Sequence, residues 1–418
     1  MTQADVLIVG AGPAGIAAAV RATECGKQVT VLDDNLSEGG QIWRGAPLHP
    51  ATAHASKWLR RLKASGATLI PGCRVVDGDP GSRTLQAETD EAALDLKYDQ
   101  LILATGAREL FLPFPSWTLP NITGVGGIQA LVKSGLPVRG KRILVAGSGP
   151  LLLAVAGFLR KHGAIVPAIV EQTTLQQLMG FGLSLAGSPG KLFQAASLKA
   201  SLGATPYWTS SWITKAEGTT RIERVQIRRP AGLQTLDCDA LAIAFGLTPN
   251  TELASLLGCD LDNGSVAVDD HQRTSRSEIL CAGESTGIGG VDLSLIEGEI
   301  AGCIAAGRDD LAKRLFPARR RARHFADALK QAFAPRPELR QLPDARTLIC
   351  RCEDVPFERL QTCASWRAAK LHTRCGMGPC QGRVCGPALH FLFAWAPDSV
   401  RPPLFPVRIA ALLASSRK

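Results

Sequence analysis

The chain is expected to be an α/β protein: two units of parallel strands alternating with helices, followed by a small helical domain. Three observations lead there. A strand, a glycine-rich turn, a helix and a second strand run from residue 5 to residue 33, and the same order returns from residue 142 to residue 171. Six of the 12 cysteines then fall after residue 349. Two units of the same build make an internal repeat at the level of the fold.

In the first unit Val6-Leu7-Ile8-Val9 reads as a buried strand, Ala14 to Cys25 as a helix closed by Gly26, and Gln28-Val29-Thr30-Val31-Leu32 as the next strand. Between them lies Gly10-x-Gly12-x-x-Gly15, with Pro13 and Ala14 at the helix start. One glycine makes the tight turn, one lets backbone approach a pyrophosphate, and one lets helix and strand pack closely. The helix N-terminus offers free N–H groups and the positive end of its dipole. Asp33, 18 residues beyond Gly15 and followed by Asp34, closes the second strand where a carboxylate can accept from both ribose hydroxyls. With strand, helix and acid all in place, the motif points to a dinucleotide in a Rossmann-like domain; the alternative is a merely structural turn.

In the second unit Ile143-Leu144-Val145 is a strand, Leu151 to His162 a helix closed by Gly163, and Ile165 to Val170 a strand. Gly147-Ser148-Gly149-Pro150-Leu151-Leu152 keeps two of the three glycines, with Leu152 where the third would allow tight packing. Glu171 ends the next strand and could meet a ribose, and Gln172 offers no charge for a 2′-phosphate. NAD or another adenine nucleotide is one occupant this allows. The other reading is a retained fold that no longer passes hydride.

Strands ending in turns recur at Leu101–Gly106, at Leu241–Gly246 before Thr248-Pro249-Asn250, and at Glu278–Glu284. The simplest arrangement is a discontinuous domain, 1–112 and 241–308, interrupted by a degenerate nucleotide domain at 113–240. A linker follows at 309–345, where Leu311, Leu315, Ala318, Ala322, Phe325 and Leu329 give one apolar helix face. The cysteine-rich domain covers 346–396, and the tail 397–418 opens with Pro397, Pro402 and Pro403 and ends in a short apolar helix expected to dock on the protein.

The formal charge is +10, scattered apart from Arg319, Arg320, Arg321 and Arg323. Such a cluster suits a solvated helix face, or next an acidic protein partner; no recognition motif accompanies it, so nucleic acid is not expected. The N-terminal MTQADVLIVGAGPAG lacks a basic leader, and no apolar run reaches the ~18 residues of a membrane span. A soluble, cytoplasmic protein is expected, in which clustered cysteines suggest metal more than disulfides.

Cys350-Arg-Cys352 and Cys380-Gln-Gly-Arg-Val-Cys385 supply two close thiolate pairs, and four thiolates are what a [2Fe-2S] centre needs. Glycines 376, 378, 382 and 386 would let N–H groups approach the sulfides. Tetrahedral zinc is the rival, although its pairs are usually spaced differently. Cys375-x4-Cys380 is an equally good pair on spacing.

The first motif, Ala104-Thr105-Gly106-Ala107-Arg108, Ala282-Gly283-Glu284 and Gly289-Gly290-Val291 together resemble the two-dinucleotide-binding flavoproteins of the glutathione and thioredoxin reductase superfamily. The resemblance implies FAD in the first domain. Its contacts would come from Gly10, Gly12, Pro13, Ala14, Gly15, Asp33, Asp34, Gly40, Gln41, Val75, Ala104, Thr105, Gly106, Arg108, Gly283, Glu284, Gly290 and Val291. The superfamily usually has Asp where Glu284 stands. A second nucleotide would use Gly147, Gly149, Pro150 and Glu171. Gly39-Gly40 is followed by Gln41-Ile42-Trp43-Arg44 with no cysteine, which disfavours thiol–disulfide chemistry at the flavin.

The run Cys350-Arg-Cys352-Glu353-Asp354-Val355 with Thr373-Arg374-Cys375-Gly376-Met377-Gly378-Pro379-Cys380-Gln381-Gly382-Arg383-Val384-Cys385 is more specific. It resembles the bacterioferritin-associated-ferredoxin-like segment in alpha subunits of opine dehydrogenases and oxidases, D-hydroxyproline dehydrogenase and hydrogen cyanide synthase. Gly39-Gly40-Gln41-Ile42 and Gly126-Gly127-Ile128-Gln129 extend the likeness over nearly the whole chain. The resemblance implies that Cys350, Cys352, Cys380 and Cys385 ligate a [2Fe-2S] cluster, with Cys363 and Cys375 as spare thiols. It also implies a heteromer: a beta flavoprotein subunit resembling D-amino-acid oxidases that oxidises the substrate, and in some members a small ferredoxin-like gamma subunit. Electrons would then leave the beta flavin and pass through this chain to an acceptor. No His/Asp or His/Glu substrate constellation stands out in the sequence itself. The alternatives are a stand-alone NAD(P)H-dependent flavin reductase passing electrons through the cluster, and a redox sensor or scaffold.

Overall fold

Val29–Asp33 is buried at every position, the mark of a parallel strand covered on both faces. In the computed structural model, which describes residues 2–43, 53–185, 190, 197, 198, 200, 202–396 and 400–415, this strand lies beside Thr2–Val9. The sheet runs Thr68–Pro71, Val29–Asp33, Thr2–Val9, Ala93–Leu103, Thr84–Glu88, Arg74–Asp79, and Ile279–Cys281 also pairs with Ala93–Leu103. Leu7 sits opposite Thr30 on one side and Leu101 on the other. Arg44 and Pro397 lie outside the described residues.

The helix Pro13–Glu24 opens on proline, which has no N–H to leave unpaired there. It packs against Gly290–Ala305. A methyl group on Gly298 would come within 2.1 Å of Ala14 O, and one on Gly302 within 2.4 Å of Ala18 O. Two glycines four residues apart thus form a smooth stripe on which the alanine face of the first helix rests.

The second sheet is parallel throughout: Tyr207–Trp208, Ile169–Glu171, Ile143–Gly147, Ala240–Ala244, Ile122–Gly124. The sequence pattern assigns Leu241–Gly246 to the returning half of the first domain. The structure instead registers Leu241 with Leu144 and Ile122, inside the second sheet. An all-apolar strand satisfies the middle of either sheet, so its pattern does not tell them apart.

The chain divides into two compact units. One holds Met1–Arg108, Thr248–Asp327 and Ser399–Lys418; the other holds Glu109–Leu247 and Ala328–Asp398. The expected single linker helix is two helices, Asp309–Lys313 and Phe316–Ala332. Leu311, Leu315 and Phe316 pack against the first unit's core. The tail docks on the first unit, with Leu404 4% exposed and its N–H donating to Val76 O at 2.8 Å. The cysteine segment is built into the second unit, where Trp117 Nε1 donates to Leu348 O at 2.6 Å. Among the described residues no helix is long and apolar enough to cross a membrane.

Candidate functional site

The first glycine turn is set by close approach. Gly10 has φ +108°, and a methyl group on it would lie 2.3 Å from Ala104 O; one on Gly15 would lie 1.8 Å from Gly10 O. In front of Gly12, by contrast, the nearest atom to such a methyl is Gly40 Cα at 3.9 Å. That opening at a helix N-terminus fits a pyrophosphate. Gly39 N–H donates to Ala11 O at 2.8 Å, which draws Gly40 and the exposed Gln41 to the turn.

Asp33 is buried; one carboxylate oxygen accepts from Ala11 N–H and the other from Asn35 N–H at 2.7 Å. The second oxygen also accepts from Asn35 Nδ2 at 2.6 Å, so it is the oxygen bonded to Ala11 N–H that keeps a further lone pair for a ribose hydroxyl. Asp34 is paired with Arg74 at 3.0 Å, and the Val75 side chain lies in the core with Leu7 and Leu32.

The Ala104-Thr105-Gly106 turn is locked to Asn250. Thr105 Oγ1 donates to Asn250 O at 2.7 Å, and Asn250 Nδ2 donates back to Thr105 O at 2.8 Å. Arg108 donates to Asn250 Oδ1 at 2.7 Å and pairs with Glu252 at 2.8 Å. The Gly283 turn is held by Glu297, 1% exposed, which accepts from Gly283 N–H at 3.1 Å and Thr286 Oγ1 at 3.0 Å and pairs with Arg323 at 3.2 Å. Sequence reasoning missed Glu297; the available signal was a carboxylate on the buried side of the otherwise apolar helix Gly290–Ala305, which also carries Asp292 and Glu299. Burial pushes Glu284 above the ordinary carboxylate range, and the Gly290 N–H at the helix start works against that.

The second turn is turned inward. Glu171 is 0% exposed, and its carboxylate accepts from Gly149 N–H at 2.9 Å and Thr173 N–H at 3.0 Å. Burial raises its pKa. Over the turn lies the chain's own segment 333–336. Ser148 Oγ donates to Phe333 O at 2.9 Å, and Gln172 Nε2 donates to Ala334 O at 2.9 Å while Gln172 Oε1 accepts from Arg336 N–H at 2.8 Å. The Phe333 ring stands 3.9 Å from where a Gly149 methyl would be. The groups that would face a pyrophosphate and a ribose are therefore engaged by protein. Gly126 and Gly127 also turn their N–H groups onto a side chain, Glu109, at 2.8 and 3.3 Å.

In the cysteine segment Cys350 ends the strand Leu348–Cys350, Cys375 follows the helix Trp366–Thr373, and Cys385 opens the helix Cys385–Phe393. Their three sulfurs lie within 4.8 Å of one another, and all three residues are buried. The neighbouring Cys375 and Cys385 thiols hold the Cys350 thiol well below its ordinary pKa, and the shared site with burial raises the other two. Gly376 N–H also reaches Cys350 Sγ at 3.5 Å. Exposed Cys352 and half-buried Cys380 are neighbours. Cys375, expected to be spare, is thus inside the thiol group, whereas Cys363 donates away to Arg359 O at 3.5 Å. Five sulfurs in one segment, with the Gly376 N–H on one of them, fit an iron–sulfur centre by donor chemistry.

Two dinucleotide folds around a shared chain path, the first with an open phosphate turn, define a flavin-dependent oxidoreductase. The chain belongs to the pyridine nucleotide-disulphide oxidoreductase family, which matches residues 4–307. It is 31% identical to the A-subunit of opine oxidase from Rhizobium meliloti, across 98% of both chains. It is likewise 31% identical to HcnB, a hydrogen cyanide synthase subunit of Pseudomonas aeruginosa, across 91% of this chain and 90% of that one. The solved L-proline dehydrogenase from P. horikoshii matches 98% of this chain and 79% of its own with a TM-score of 0.68 at 18% identity, a likeness of fold. The chain is an FAD-dependent oxidoreductase similar in kind to the first two, and those relatives are a subunit of an opine oxidase and a subunit of a hydrogen cyanide synthase.

Proposed function

We propose that this chain is the electron-transfer subunit of a heteromeric dehydrogenase or oxidase acting on the CH–NH bond of an amino acid or opine. A D-amino-acid-oxidase-like flavoprotein would be its partner, with a small ferredoxin-like protein as a further component. The observation that carries the reading is the gathering of Cys350, Cys375 and Cys385 within 4.8 Å, in a chain whose flavin turn has no cysteine pair beside it. Bound FAD would exchange one or two electrons and a [2Fe-2S] centre one at a time, which suits a relay between a two-electron donor and a one-electron acceptor.

Gly10, Gly12 and Gly15 would admit the FAD pyrophosphate, Asp33 its ribose, and the Thr105–Asn250 lock would hold the neighbouring turn in place. Glu297 would fix the Gly283 turn and Glu284 where the ribityl chain passes. Cys350, Cys352, Cys380 and Cys385 are the ligands the family resemblance favours. The closed second turn speaks against NADH as the electron source. The test is to purify the tagged chain anaerobically from its source cells. A flavoprotein should copurify in fixed ratio, and FAD with about two iron and two sulfide per chain should be recovered. A chain recovered alone, with zinc in place of iron, ends the proposal.

A further inference from the structure

We infer that the cluster site holds five cysteine sulfurs for four positions, with Cys375 and Cys385 competing for one of them. This rests on the iron–sulfur reading above and departs from it at a residue that reading leaves spare. Cys380 stands midway between the two in sequence, four residues intervening on either side. Both therefore reach back from Cys380 with the same length of chain. In space they converge: each sulfur lies within 4.8 Å of the other and of Cys350. Cys375 is 0% exposed and Cys385 2%.

The surrounding chain treats the two alike. Methyl groups on Gly376 and on Gly382 would each meet the Trp366 ring at 3.0 Å, and one on Gly386 would meet it at 3.3 Å. One buried indole thus supports the loops that carry both cysteines. Cys352 and Cys380 form a separate neighbouring pair.

An iron in this centre takes two thiolates and two sulfides. Cys352 and Cys380 would hold one iron, and Cys350 with either Cys375 or Cys385 the other. Exchange breaks one iron–sulfur bond and makes one, the incoming thiol passing its proton to the outgoing thiolate, with no change in iron oxidation state.

The test compares C375A, C385A and the double variant with the parent, all made anaerobically, by iron and sulfide content and by the EPR spectrum of the reduced protein. Each single variant should keep about two iron per chain, with the spectrum of C385A displaced from that of C375A, and the double variant should lose the cluster. C375S and C385S repeat the comparison should alanine disturb this buried segment. Retained FAD shows that the flavin unit of each variant is intact. Loss of iron from C385A and C385S while C375A is full overturns the inference and returns Cys375 to a spare thiol. Loss from C375A and C375S while C385A is full overturns it in the other direction. A full double variant overturns it as well. A parent chain that binds no iron fails the underlying reading, a result distinct from these three.

Discussion

At the scale of single residues, the first turn's tolerance is decided by what stands in front of each glycine. Space faces Gly12, and backbone faces Gly10 and Gly15. A Gly12→Val chain should therefore fold yet leave purification without FAD, since the side chain occupies the place of the pyrophosphate. Flavin absorbance per chain measures this, and a yellow Gly12→Val protein contradicts it. Gly302→Val makes the complementary case. Its side chain meets Ala18 O in the helix seam, one turn beyond the glycine motif, and overpacking of this kind costs ~1–3 kcal/mol, so the melting temperature should drop by several degrees while bound FAD is retained. The glycine turn and the strand ending at Asp33 were legible in the sequence as structure, because their spacing is local. Glu297 with Arg323, and Thr105 with Asn250, were not legible as pairs, because each joins residues far apart in the chain and no spacing rule links them.

Among the elements, the second turn was half legible. Leu152 marked it as altered, but nothing in the sequence tied Ser148 and Gln172 to the segment 333–336. That contact leads to the expectation that NADH reduces the flavin slowly or not at all. Rapid stoichiometric bleaching by NADH in a stopped-flow mixer would refute it. The strand carrying Glu171 adds a pH dependence. Burial raises Glu171 above its ordinary value of 4.5, so the folded state holds a proton that the unfolded state releases. The stability this contributes is complete below 4.5 and is lost as pH rises through the folded value. Glu171→Gln should flatten the decline in melting temperature above about pH 5. It should also cost ~1–3 kcal/mol overall, because one backbone N–H loses its acceptor. An unchanged slope would assign the pH dependence elsewhere. The strand Ala240–Ala244 shows a different limit: an apolar run announces a strand but not its sheet.

For the whole molecule, two α/β units and a cysteine domain were readable from repeats and composition, whereas the grouping of the pieces was not. The chain path from Asp327 to Ala328 leaves one unit for the other, and no composition shift marks it. If the proposed relay holds, activity on an amino acid or opine should belong to the assembled heteromer and not to this chain alone. Reconstitution with the separately purified partner should restore dye reduction, and full turnover by the isolated chain would refute the relay.

The stretch Ala328–Asp398 joins the second unit as one continuous length of chain. Its opening residues, around Phe333, close the nucleotide turn, and its later residues bring the thiols. On the proposed function, a two-domain reductase that acquired this stretch would gain a one-electron port and forfeit its hydride port in a single event. The two traits would then be inherited together, and neither could be restored or removed by trimming the chain without disturbing the other.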